Sequence, residues 1–151
     1  AAVYGRLYNF YAVIGRYDSN TTVLKTFAPA GWKVPADYGF LVQGNAPRGC
    51  NCKESGTVHW SSPNEGVTIP TGFHALPGGY RAEYGQFLGL GTFAKFWTSS
   101  GRCCEDLLKK AISYGVRNTI GNIQNVGPGC GTTPNLYDLD QAGYSIRLVK
   151  E

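Results

Sequence analysis

The residues best suited to chemistry are five cysteines, two histidines and a few scattered carboxylates. The cysteines fall as Cys50-Asn-Cys52, Cys103-Cys104 and a lone Cys130. A catalytic thiolate needs an electropositive, part-exposed setting beside a histidine. Cys52 and His59 are near in sequence, but paired, oxidised cysteines explain the same residues more simply. Two intrachain bridges would leave one thiol over, and Cys130 is the one without a near partner. A structural zinc site wants C-x-x-C spacing, which does not occur; His59 and His74 could join thiolates in a metal site, but disulfides are the plainer reading. No C-x-x-C-H haem motif is present either. His59 is expected to hydrogen-bond a loop carbonyl.

Hydrolytic chemistry fares no better. Ser-His-Asp catalysis on a strained elbow needs G-x-S-x-G, and none occurs. Glycoside hydrolysis needs two carboxyls about 5–9.5 Å apart across a cleft. Glu54, Glu65 and Glu83 could supply a pair, but glutamates in a loop are ordinarily just solvated. Gly89-Leu90-Gly91 is not followed by G-K-[ST], so it is no phosphate loop. The expectation is a protein that is not an enzyme and carries no cofactor or metal.

The elements that would position these residues are short. The 151 residues are enough for one domain spanning 1–151 that buries about 68–70% of its unfolded surface. Glycine and tyrosine are abundant and charged residues are 16% of the chain, which favours short strands and ordered turns. The formal charge is +4 with no basic stripe, which argues against nucleic acid. No stretch approaches the roughly 20 apolar residues of a membrane helix. The chain opens without a signal peptide and contains no methionine, as expected of a processed product or the ordered part of something longer. The cysteine usage points to an oxidising compartment.

"YGRLYNFYAVIGRY" (residues 4–17) is rich in aromatic and β-branched residues and reads as a strand. A short helix is expected after Pro35, near Asp37, weakened by Gly39. Residues 44–72 read as irregular. "GTFAKFWTSS" (91–100) reads as a strand. Residues 105–112 have helical spacing and lead into an alternating run, with Ile112, Tyr114 and Val116 on one side. Residues 118–121 should turn the chain into "NIQNV", and "GYSIRLVKE" (143–151) is the last strand, with Tyr144, Ile146 and Leu148 on one face. Strands at both ends around an irregular middle give an α+β class.

"YGRLYNFYAV", "PAGWKVP", "ESGTVHWSSPNEG", "GFHALPGGYR", "FWTSS" and "GYSIRLVKE" follow one another along nearly the whole chain. Together they resemble the Fibrobacter succinogenes major paralogous domain, a family of bacterial exported and surface proteins. That family is similar in turn to the C-type-lectin-like fold of the formylglycine-generating and sulfatase-modifying proteins. The resemblance implies small antiparallel sheets, short helices and long ordered loops, with the N- and C-terminal strands paired and residues 4–13 beside 144–149. The chain departs from the family in "ADYGFLVQ", which has Tyr38, Gly39 and Phe40 where an acidic residue and tryptophan are usual. It also lacks the "WMAENL"-like segment that usually precedes "YGRLYN". The formylglycine-generating chemistry does not carry over, because its redox cysteine context is missing. Cys103-Cys104 suits a vicinal disulfide better.

Calcium-dependent lectins use E-P-N or Q-P-D with W-N-D. Here Ser62-Pro63-Asn64 and Thr133-Pro134-Asn135 lack the acidic first residue, and W-N-D is absent. Asn64 and Glu65 are nonetheless the best candidate oxygen ligands. Trp32, Trp60 and Trp97 are expected mainly in the core, with Trp60 also a candidate for stacking on a sugar. Gly78-Gly79 is expected to supply a turn with positive φ. Arg81 and Arg147 could meet an anion, but clamping loop carbonyls is the plainer role. The ligand-binding candidates are therefore Trp60, Asn64, Glu65 and Arg81, and the disulfide candidates are all five cysteines. The expected function is a non-catalytic extracellular or cell-surface module, structural or adhesive, whose partners are copies of itself in a head-to-tail filament. The missing family segment would leave an open strand edge for that contact. The alternative is a soluble lectin-like or receptor domain binding a surface glycan or protein.

Overall fold

The structure, a computed structural model, describes residues 2–15, 26–36, 52–67, 73–99, 113–125 and 141–151. The helices expected after Pro35 and over 105–112 lie outside the described residues, as do Cys50, Cys103, Cys104 and Cys130. The described residues form small sheets with little helix.

The first element corrects a sequence expectation. Residues 4–15, the described part of the stretch 4–17, do not form a strand. Tyr8 makes a single bridge, and the chain then enters the short helix α1 (Phe10–Val13). The Asn9 side chain accepts a hydrogen bond from the Ala12 N–H at 2.9 Å, which caps the helix. Phe10 and Val13, three residues apart, then fall on one buried face. The aromatic composition was a fair sign of burial but a poor sign of backbone shape.

Two sheets follow. β1 (Trp32–Lys33) pairs antiparallel with β7 (Val149–Lys150), opposing Trp32 to Lys150 and Lys33 to Val149. The larger sheet contains β2 (Gly78–Arg81), β3 (Phe87–Leu90), β4 (Phe93–Trp97), β5 (Ser113–Arg117) and β6 (Ile120–Asn125). Its spatial order is β3-β2-β4-β5-β6, antiparallel except for the β2–β4 contact. The strands expected over 91–100 and after residue 112 are β4 and β5, and Asn118-Thr119 make the turn into β6.

β4 is central, and all five of its residues are buried. Successive side chains of a strand point to opposite faces, so β4 feeds two cores. Ala94 and Phe96 join Cys52, Trp60, Ala75 and Val116 on one side. Trp97 joins Phe10, Val13, Val34, Ala142 and Tyr144 on the other. Lys95 shares that second side, where its Nζ donates to the Tyr144 hydroxyl at 2.7 Å and lies 4.0 Å from the centre of the Tyr144 ring. Tyr144 belongs to the second core, and Ile146 and Leu148 pack against it, the alternation expected from the sequence.

The two ends of the described chain meet as expected. Tyr8 and Tyr144 exchange backbone hydrogen bonds of 2.8 and 3.0 Å. Trp97 seals this junction: its Nε1–H donates to the Tyr8 carbonyl at 2.7 Å, and its ring lies 4.2 Å from that of Tyr144. Trp60 is also core, but Trp32 on the two-stranded sheet is 42% exposed, which corrects the expectation for that tryptophan. A two-stranded sheet has no second layer among the described residues to cover it.

Replacing Trp97 with Ala should cost about 3–5 kcal/mol through lost burial. Trp97→Phe keeps much of the packing but removes one of the two donors to the Tyr8 carbonyl, which keeps the Tyr144 N–H, and should cost about 0.5–1.5 kcal/mol. Urea unfolding midpoints would check both values, and a Trp97→Phe variant as stable as the unaltered protein would remove the role given to the indole N–H.

Candidate functional site

The irregular stretch from Cys52 to Val67 is an ordered platform. Its backbone is tied down wherever it passes the sheet. The Glu54 N–H donates to the Ala75 carbonyl, the Ala75 N–H to Cys52, the Ser61 N–H to Gly91 and the Glu65 N–H to Asn118. Side chains satisfy further groups, as buried polar backbone requires. Trp60 Nε1–H donates to the Ala75 carbonyl at 3.0 Å. Asn64 Nδ2 donates to the carbonyls of Glu54 and Gly56. Asn118 Nδ2 donates to those of Ser61 and Ser62.

Most sequence candidates are consumed by this packing. Trp60 is buried among Cys52, Ala75 and Phe96, so its ring offers no face to a sugar, which corrects its place among the ligand residues. Asn64, at φ 38°, spends its amide nitrogen on the loop, and its Oδ1 is buried with no hydrogen-bond partner among the described residues. Glu65 is exposed, and its carbonyl accepts from Lys53. Arg81 sits in β2, where its N–H and C=O pair with Gly143. The structure thus brings Trp60, Asn64 and Glu65 into one loop. Among the described residues no hydrogen bond or ion pair joins Arg81 to them.

His59 departs from expectation. Its Nδ1 lies 2.8–2.9 Å from both oxygens of the Glu54 carboxylate, rather than on a loop carbonyl. The edge of one ring meets the face of the other between His59 and Tyr4. Arg147 also departs: its guanidinium stacks 5.1 Å from the centre of the Phe73 ring. Cys52 is buried and its sulfur is disulfide-bonded, so it presents no thiolate for the chemistry weighed above. No group of three or more His, Cys, Asp or Glu side chains with metal-holding geometry occurs among the described residues. Nor, among these residues, is any helix long and apolar enough to cross a membrane.

The surface feature that sequence reasoning missed is β3. This strand ends the larger sheet and pairs with β2 alone among the described residues. Phe87 is 75% exposed, Leu88 43% and Leu90 66%, and Tyr84 in the preceding turn is exposed as well. Strand edges are usually blunted by charge or proline. "FLGL" has neither. Gly79 explains how this edge stays close to β2. It lies in a strand rather than the expected turn but has the expected positive φ, +65°. A Cβ at Gly79 would collide with the Leu88 carbonyl and lie 2.8 Å from the Leu90 nitrogen. The signal in the sequence was a run of apolar residues between Gly85 and Gly91, too short to show which face it buries.

Lys53 locks the platform to the sheet. It is buried, and its Nζ donates to the Glu65 carbonyl at 2.5 Å and the Arg117 carbonyl at 2.9 Å. The ammonium also lies 5.2 Å from the centre of the Trp60 ring. Desolvation by burial lowers its pKa from the ordinary 10.5, with the Glu65 charge opposing. Between the lowered value and 10.5 the unfolded chain binds more protons than the folded one, so stability contributed by Lys53 rises with pH there. Lys53→Met should destabilise by about 1–3 kcal/mol at neutral pH, because two carbonyls lose their donor. Its deficit should widen as pH is raised toward 10.5, since methionine does not titrate. Paired denaturation curves at neutral and alkaline pH would test this, and a constant or shrinking deficit would contradict it.

No curated protein and no solved structure matches this chain. The model of the Fibrobacter succinogenes major domain matches residues 1–150, and the chain belongs to that family.

Proposed function

We propose that this protein is a non-catalytic extracellular or cell-surface module, structural or adhesive in role, that assembles with copies of itself through β3. The observation that carries the reading is the exposed apolar edge of Phe87, Leu88 and Leu90, uncapped among the described residues. A strand edge presents unpaired N–H and C=O groups, and apolar side chains flanking it add burial to any strand that docks there. β6 ends the same sheet on its other side among the described residues. Pairing β3 of one copy with β6 of the next is a heterologous contact that repeats, giving a filament where it does not close into a ring. The disulfide at Cys52 fits an oxidising compartment. A C-type-lectin-like architecture is part of the proposal. It is supported by the Tyr8–Tyr144 junction of the two ends and by the ordered platform packed on a small sheet.

A soluble lectin-like or receptor domain is the second reading. A groove beside β4, lined by both aromatic and polar residues, favours it.

The assembly reading predicts concentration-dependent growth by light scattering, with linear polymers in negative-stain images. Phe87→Lys and Leu90→Lys, each placing a charge on the edge, should weaken association at least tenfold while leaving the monomer folded. Val58→Lys, at a residue equally exposed but in the platform loop, should leave association intact. A chain that stays monomeric at high concentration would overturn self-assembly in favour of the second reading.

A further inference from the structure

The geometry points to a site for a single acidic sugar residue, a uronate, in the groove between Tyr80, Phe93 and the β5–β6 turn. The groove has a volume of about 260 Å³ and is lined by Tyr80, Gly89, Thr92, Phe93, Arg117, Asn118 and Thr119. Pockets for drug-sized ligands start at about 300 Å³. This one suits one small ring.

Its charge is a single guanidinium. Arg117 is exposed and stacks 5.1 Å from the centre of the Phe93 ring. Phe93 is itself buried and packed edge-to-face on Tyr80 at 5.6 Å. Stacking on a fixed ring orients the planar fork before any ligand arrives, which lowers the ordering cost of binding. Among the described residues the ion pair found is His59–Glu54, and none engages the Arg117 guanidinium directly. A lone guanidinium matches a planar monoanion, bound through two parallel N–H···O bonds.

The other polar groups narrow the ligand further. The Thr92 hydroxyl donates to the Gly89 carbonyl at 3.2 Å, which leaves its lone pairs to accept. Asn118 spends its Nδ2 on Ser61 and Ser62, which leaves its Oδ1 to accept. The groove thus offers one cationic fork and neutral acceptors beside aromatic rings. A ligand with one carboxylate and several hydroxyl donors on a compact ring uses all of them. An acidic peptide side chain supplies the carboxylate without the hydroxyls, and a neutral sugar supplies the hydroxyls without the charge.

The probes are methyl glucuronide, methyl glucoside and N-acetylglutamate amide, each titrated while the backbone amides of Thr92, Phe93, Asn118 and Thr119 are followed by NMR. Methyl glucuronide should shift these amides and bind at least tenfold tighter than either other probe. Arg117→Gln should abolish the shifts with the rest of the spectrum unchanged, and Arg117→Lys should weaken binding by losing the fork. Arg147→Gln should leave binding as it was, because that equally stacked arginine lies outside the groove. The site is overturned if methyl glucuronide produces no shifts, if either other probe binds as well, or if Arg117→Gln binds normally. None of these results bears on polymer formation, which the β3 variants report independently.

Discussion

Three consecutive residues, Gly143, Tyr144 and Ser145, hold the described structure together. Gly143 exchanges both backbone hydrogen bonds with Arg81, Tyr144 does the same with Tyr8, and Ser145 bonds to Lys95 and Trp97. Three segments far apart in the sequence are thereby fixed within one short stretch. Side-chain packing depends on that stretch too. Tyr144 lies against Trp97 and receives the Lys95 ammonium, so the buried charge of the central strand is satisfied from the same point. Gly143 suits this close approach, since a Cβ there would lie 3.1 Å from Arg81 Cβ, tight enough that the neighbour would have to give by a few tenths of an ångström. The crossing is close because three pieces of backbone converge there.

The second constraint is polar. A domain with little regular structure must satisfy its backbone groups one by one, since no ladder does it repetitively. Lys53, Trp60, Asn64 and Asn118 perform that task for the platform, each reaching one or two carbonyls. These residue types are also the ones a ligand site would use. Their donors are committed internally, which leaves few of them for a ligand. The Oδ1 of Asn64 is the exception, a buried acceptor without a hydrogen-bond partner among the described residues.

The two surfaces proposed for recognition instead lie where the regular sheet stops. At β3 the ladder ends in apolar residues, and at the β5–β6 turn an arginine is held on an aromatic ring. Both are by-products of the same layout. Gly79 and Gly89 draw β3 tightly onto its neighbours: a Cβ at Gly89 would meet Phe93 Cβ at 2.9 Å. The apolar side chains of β3 are exposed beside this close approach, and Gly89 lines the groove beside Tyr80 and Phe93.

Sequence alone determined the family, the course of β4 and β5, the meeting of the two ends, and the core faces of Tyr144, Ile146 and Leu148. Those features rest on alternation and on long ordered motifs, which local residue types carry. Only the tertiary structure decided the fate of individual candidates. The fragment around Tyr8 reads the same whether it continues as a strand or is stopped by the Asn9 cap, because that choice turns on a single side-chain hydrogen bond. Trp32 and Trp60 are equivalent as residue types, yet one is covered by a second layer and the other sits on a two-stranded sheet. His59 found a carboxylate five residues away, and Arg117 found a ring on the neighbouring strand. The exposure of β3 was equally hidden, since a strand's place at the edge or centre of a sheet is set by non-local pairing and leaves no local mark on four apolar residues.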